Sequence, residues 1–299
     1  MIPSQVSIRE VAMRDGLQIE QPIPLRAKLE LLDAIAATGV REVEVTSFVS
    51  PTKVPALADA AELAAELWRY PDLEFSALVA SPGGAARAVA AGLTSIEYVV
   101  CASDSFSSAN VGRPTAEAVA AIPDIAGIAH DAGGTAEVII ATAWDCPFDG
   151  PTPPARVTEI AASARAFGVD RLSIADTIGT TTPARVTDLI AAVRPIIGEM
   201  ALGAHFHNTR GAGLACAYTA VSCGVTRLDA SAGGLGGCPF APGATGNIAT
   251  EDLVYLLGDC GIDTGIDLQA AIAAAGVASS VVGHPLPSAL LAAGDRKRD

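Results

Sequence analysis

RLSIADTIGTTTPARVTDLIAAVRPIIGEMALGAHFHN (171–208) reads as one strand–helix–strand unit. RLSIADT (171–177) and ALGAHFHN (201–208) are short runs with apolar centres, and PARVTDLIAAVRPII between them carries the spacing of an amphipathic helix opened by Pro. A strand, a crossover of this length and another strand form a parallel βαβ unit. The same alternation recurs on both sides. Further strand candidates are VSIREVAM (6–13), REVEVTSF (41–48), LEFSALVA (73–80), SIEYVVCA (95–102), TAEVIIATA (135–143) and RLDASAG (227–233). Helical stretches such as LRAKLELLDAIAATG, ALADAAELAAELWR and ARVTEIAASARAFG lie between them, several ending at Gly, a common helix stop.

Eight strand–helix units predict an α/β fold of the (β/α)8 TIM-barrel class. A doubly wound sheet would more often carry a Gly-rich phosphate turn after its first strand, where MRDGLQ stands instead. We expect one domain over 1–299, with the barrel at about 6–258 and a C-terminal helical cap at about 259–292 that covers the barrel or forms an oligomer contact, and a frayed tail, DRKRD.

The 299 residues are 50% hydrophobic and 17% charged, which excludes a disordered chain or a coiled coil. Mean hydropathy is +0.40, yet no apolar run reaches the length of a membrane span. The first residues lack the basic-then-apolar order of a secretory signal. Nineteen basic against 33 acidic residues give a net charge of −14, which argues against nucleic acid and anionic membranes as partners. The six cysteines contain no CxxC pair and read as free thiols in a reducing cytoplasm.

In a barrel, chemistry belongs at the C-terminal ends of the strands. Arg14 and Asp15 follow strand 1, Glu44 and Ser47 sit in strand 2, Asp176 ends strand 6, and His205 and His207 end strand 7. Cys238 and Asn247 belong to the Gly-rich loop after strand 8. His205 and His207, two of only four histidines, are i and i+2 on a strand and point to one side. A lone pair of core histidines is the bland reading; beside Asp15, a metal centre is the better one. Oxygen donors from Asp15 and Asn247 with two imidazoles suit Mg²⁺ or Mn²⁺ better than zinc. Glu44 breaks an apolar strand and needs a partner, for which Arg14 is a candidate. Asp176 is as consistent with capping the next helix as with chemistry. Lys53 and Arg113, in or near strand-to-helix loops, are candidates for an anionic cofactor tail, although such charges are more often simply solvated.

RDGLQ (14–18), EVTSFVSP (44–51), DTIG (176–179), HFHNT (205–209), GLGGCPFAPGATGN (234–247) and ATEDLVYLL (249–257) together resemble the hydroxymethylglutaryl-CoA lyase family, from about residue 6 to 290. The resemblance implies a retro-Claisen cleavage of 3-hydroxy-3-methylglutaryl-CoA, or a close 3-hydroxy-3-alkylglutaryl-CoA, to acetyl-CoA and acetoacetate. It implies a divalent cation on Asp15, His205, His207 and Asn247. Catalytic roles fall to Arg14, Asp15, Glu44, Asp176, His205 and Cys238. Gln18, Ser47, Lys53 and Asn110 are the implied binding residues for the acyl-CoA. A homodimer or higher homo-oligomer is expected. The chain departs from the family pattern at Ile19, at Thr52 and Lys53, at Ala175 and in AWDCPFDG; the changes at Ala175 and at Thr52 and Lys53 border the expected cleft and bear on the acyl group. A Claisen-type synthase or aldolase on the same metal-dependent barrel is the alternative, and a non-catalytic CoA-ester binder a third reading.

Overall fold

The computed structural model describes residues 2–237 and 246–296. Eight parallel strands close into a barrel: β1 (Ser7–Glu10), β2 (Glu42–Ser47), β3 (Glu74–Val79), β4 (Ser95–Cys101), β5 (Thr135–Ala141), β6 (Arg171–Asp176), β7 (Ala201–Phe206) and β8 (Arg227–Ala230). Each strand pairs with its sequence neighbours, and β8 returns to β1. This is the (β/α)8 barrel read from the sequence. The helices outside pack apolar faces onto the strands; Val186, Leu189, Ile190 and Val193 of the helix Pro183–Ile197 are all buried.

Two stretches differ from their sequence reading. VSIREVAM is not one strand. β1 stops at Glu10, whose side chain accepts a hydrogen bond from Ala12 N–H at 2.9 Å. The chain then bends into a wide turn over Ala12–Gly16, with Gly16 N–H on the Val11 carbonyl at 3.1 Å. A five-residue hydrogen bond of this kind widens the turn, and such turns recur at functional sites. ALADAAELAAELWR is likewise not one helix. Its helical part is Ala60–Ala64, with tight turns at Pro55–Leu57 and Leu67–Arg69. The buried Lys28 ammonium takes the Ala56 carbonyl at 2.6 Å and pairs with Asp59, which holds the first turn in its tight form.

The inside of the barrel holds a second difference. Barrel interiors are usually layers of branched apolar side chains. Here Arg9, Glu97, Glu137 and Asp229 lie buried in the strands and meet one another. Beyond β8, the helix Leu268–Val282 packs on the helix Leu25–Ala36 and on the turn Ala232–Gly234. Among the described residues, no helix is long and apolar enough to cross a membrane.

Candidate active site and metal centre

The wide turn after β1 turns Arg14 and Asp15 inward over the C-terminal mouth, where both are buried. β7 ends beside them and sends His205 and His207 to the same place. Asp15 Oδ2 lies 3.8 Å from His207 Nε2 and 4.0 Å from His205 Nε2. Ligands on opposite or adjacent corners of a divalent ion with bonds near 2.1 Å stand about 3–4.2 Å apart, so these three atoms can share one ion.

Hydrogen bonds at the far side of each ring fix where the protons are. His207 Nδ1–H donates to the Asp176 carbonyl at 2.9 Å, and His205 Nδ1–H donates to Asp229 Oδ2 at 3.1 Å. In its neutral form each ring then presents an Nε2 lone pair to the Asp15 carboxylate. That arrangement repels itself unless a cation lies among the three groups. Burial, with His205 alongside, pushes His207 down to about 4, so its ring is neutral, as a metal ligand must be. Burial alone would raise Asp15, but the Arg14 guanidinium, with the Asn247 Nδ2–H donor, outweighs it and holds it below the ordinary carboxylate range.

Asn247 supplies a further observation. Its Nδ2 donates to Asp15 Oδ2 at 2.8 Å and to the Leu235 carbonyl at 3.0 Å. Its Oδ1 is buried and has no partner among the described residues. A buried acceptor without a donor is costly, and a cation would satisfy it. The donor set thus fits a divalent ion with mostly oxygen and imidazole ligands.

Arg14 joins this group to β2. Its Nη1 donates to Asp15 Oδ1 at 2.6 Å, and its Nε lies 2.7 Å from Glu44 Oε1. Burial raises Glu44 above its usual value, against the pull of Arg14 and Arg9. Gln18 Nε2 donates to Asp15 Oδ1 at 2.6 Å. So Arg14, Asp15, Gln18, Glu44, His205, His207 and Asn247 form one connected group. The carboxylate of Asp176 is turned elsewhere: it accepts from Thr180 N–H at 3.0 Å and Thr181 N–H at 3.1 Å in the loop before the helix Pro183–Ile197, whose N-cap is Thr182, so it ties down that loop rather than capping the helix, while its backbone carbonyl orients His207. Ser47 is buried at the end of β2, Lys53 is exposed in the turn after it, and Asn110 is half-buried on the helix Asp104–Val111. None of these three bonds to the connected group among the described residues. Cys238 lies outside the described residues.

The sequence reading missed two sets of buried carboxylates. Glu10 accepts from Ala12 N–H, from Ala232 N–H at 2.9 Å and from Thr250 Oγ1–H at 2.6 Å, so one side chain ties the metal-bearing turn to the chain before and after the Gly-rich loop. Glu251 accepts from Gly233 N–H at 3.1 Å in the same stem. Burial pushes both up to about 7. Asp229, Glu97 and Glu137 were missed too. Their signal was the one that betrayed Glu44: an acid inside an apolar strand run.

Barrel, inward donor set and buried arginine define the class: a (β/α)8 enzyme with a candidate divalent-metal centre at its mouth. Comparison with known proteins narrows it. The HMGL-like family model matches residues 5–277, and the chain belongs to this family, whose relatives here are carbon–carbon lyases. It is 41% identical to (R)-citramalyl-CoA lyase of Chloroflexus aurantiacus, over 97% of this chain and 95% of that protein. It is 39% identical to mitochondrial hydroxymethylglutaryl-CoA lyase of Bos taurus, over 89% of this chain and 82% of that one. An HMG-CoA lyase of Acinetobacter baumannii, solved with coenzyme A and 3-methylmalate, superposes with a TM-score of 0.94 at 36% identity, covering 99% of this chain and 97% of that chain. This chain too is a carbon–carbon lyase.

Proposed function

We propose that this lyase cleaves 3-hydroxy-3-methylglutaryl-CoA, or a close 3-hydroxy-3-alkyl homologue, to acetyl-CoA and acetoacetate with Mg²⁺ or Mn²⁺ bound. The observation that carries the reading is the buried Asp15, His205 and His207 cluster with Arg14 bonded to its carboxylate. Asp15, His205, His207 and Asn247 Oδ1 hold the ion. When bound, a divalent cation supplies Lewis-acid polarisation of the tertiary hydroxyl and lowers its pKa. Asp15 takes the hydroxyl proton; His205, with its proton on Nδ1 and Nε2 turned to the ion, has no lone pair left for that role. The C–C bond then breaks, its electron pair passes toward the thioester, and Arg14 meets the negative charge on the enolate oxygen in a water-poor site. Glu44 keeps Arg14 in place. Cys238 returns a proton to the enolate carbon to complete acetyl-CoA. Gln18, Ser47, Lys53 and Asn110 contact the acyl-CoA, and Asp176 acts through the His207 ring.

The named relatives are lyases, which disfavours a synthase or aldolase. A second substrate deserves a place. The 41% relative is an (R)-citramalyl-CoA lyase, and Ile19, where the chain departs from the family pattern, is 44% exposed in the turn beside Gln18, a residue assigned here to the acyl-CoA. Incubating the enzyme and Mn²⁺ with each thioester, with and without chelator, tests both. Chelator-sensitive acetoacetate supports the first reading. Pyruvate from citramalyl-CoA without acetoacetate moves the assignment to the second.

A further inference from the structure

Asp229 on β8 stands between Arg9 on β1 and His205 on β7. The strand register sets the three in one row: Arg9 lies opposite Asp229, and Asp229 opposite His205. Arg9 grips both oxygens of Asp229, with Nε on Oδ1 at 2.9 Å and Nη2 on Oδ2 at 3.0 Å. Such a forked pair fixes orientation as well as distance. The same Oδ2 accepts His205 Nδ1–H at 3.1 Å. All three residues are buried, so water does not compete for these bonds. The remaining Arg9 nitrogen, Nη1, is held between Glu97 at 2.7 Å and Glu137 at 3.0 Å.

The consequence concerns which nitrogen of His205 carries the proton. With Asp229 accepting at Nδ1, Nε2 presents its lone pair to Asp15, 4.0 Å away. With the tautomer reversed, an N–H would face the metal centre and exclude His205 as a ligand. We propose that Asp229 and Arg9 are positioning residues that lock the tautomer and aim of His205, so that the charged interior of the barrel prepares the metal centre at its mouth. The proposal rests on reading Asp15, His205 and His207 as that centre.

The fold also offers a way to test Arg9 itself. A cavity of about 450 Å³ at the N-terminal ends of the strands is lined by Arg9, with Glu42, Ser76 and Arg171 around it. A small guanidinium ion can enter there once the Arg9 side chain is cut back.

The experiment uses the full chain with ¹⁵N-labelled histidine. Nitrogen shifts report the His205 tautomer without metal, and calorimetry with Mn²⁺ reports affinity. Asp229→Asn is expected to move the His205 proton to Nε2 and to weaken Mn²⁺ by about 10–100-fold, with the circular dichroism of the parent. Arg9→Ala is expected to weaken Mn²⁺ similarly and to recover with millimolar guanidinium, well below denaturing levels. Should Arg9→Ala fail to fold, Arg9→Lys, which keeps the charge and loses the fork, is expected to weaken Mn²⁺ in a folded protein. An Asp229→Asn enzyme that keeps the Nδ1 proton and the parent affinity overturns the proposal, as does an Arg9→Lys enzyme with both unchanged. The tautomer is read without metal or substrate, so a wrong metal or thioester assignment shows separately from a wrong positioning pair.

Discussion

Two clusters of buried charge share this barrel, and they are built to opposite rules. In the interior, Arg9 answers Asp229, Glu97 and Glu137, and Arg227 answers Glu137 at 3.3 Å and Glu42 at 2.7 Å. Nearly every charged atom there has its complement, Glu97 Oε2 excepted. At the mouth, Asp15 faces two imidazole Nε2 atoms, and neither Asn247 Oδ1 nor Glu44 Oε2 has a partner among the described residues. Arg9, Glu97, Glu137 and Asp229 are as buried as the groups at the mouth, so burial does not mark function. The mark is incompleteness: a cluster that satisfies itself is architecture, whereas one that awaits a cation and a substrate is a site.

The comparison can be broken first at the metal. Chelation, or His207→Ala, is expected to lower turnover by about 10²–10⁴-fold, the loss that goes with several kcal/mol of charge stabilisation. Assay with graded Mn²⁺ checks it; full activity in chelator would end the distinction drawn here. Arg14→Met comes next. It is expected to cut kcat by about 10²–10³-fold and, by stranding buried Glu44, to cost about 3–5 kcal/mol in urea unfolding. Adding Glu44→Met should return the stability and leave kcat low.

In the interior the balance of effects reverses. Glu137→Gln strands parts of Arg9 and Arg227 and is expected to cost about 3 kcal/mol of stability, while any effect on turnover passes through Arg9 to Mn²⁺ affinity and disappears at saturating Mn²⁺. A pH series separates the carboxylates further. Glu10 and Glu251 have folded values near 7, above the unfolded value near 4.3, so they hold their protons more tightly when folded. Their contribution is full below pH ~4.3 and is lost as pH rises toward 7, by up to about 3 kcal/mol each. Asp229, held low by Arg9 and His205 against burial, has the opposite sign: its contribution is present above pH ~4 and is lost on acidification. Glu10→Gln should flatten the urea midpoint between about pH 4.3 and 7. The smallest effect is expected for exposed Lys53: Lys53→Ala should shift stability by less than about 0.5 kcal/mol, and any change should appear in KM rather than kcat.

Much of this was legible along the chain. The period of two within strands and of 3.6 within helices is local, so all eight strands, β1 (Ser7–Glu10) to β8 (Arg227–Ala230), and their parallel order could be read directly. Two neighbouring histidines on one strand face pointed to the candidate metal centre, and a carboxylate in an apolar run announced the need of Glu44 for a partner. Local pattern misled where a distant group intervened. VSIREVAM looks like strand throughout, but Glu10 draws in the amides of Ala12 and Ala232, 222 residues away along the chain from its own position, and the strand becomes a turn. The two readings of Asp176 were equal in sequence, and the amides of Thr180 and Thr181 decided its contact.

The sequence by itself determined the barrel and pointed to most of the candidate metal donor set, because hydrophobic period and same-face spacing act over a few residues. The tertiary structure alone decided which buried charges meet, since Arg9, Asp229 and His205 come from strands at the two ends of the chain and become neighbours through barrel closure and register. Electrostatic pairing depends on distance in space, and only the closed fold sets it.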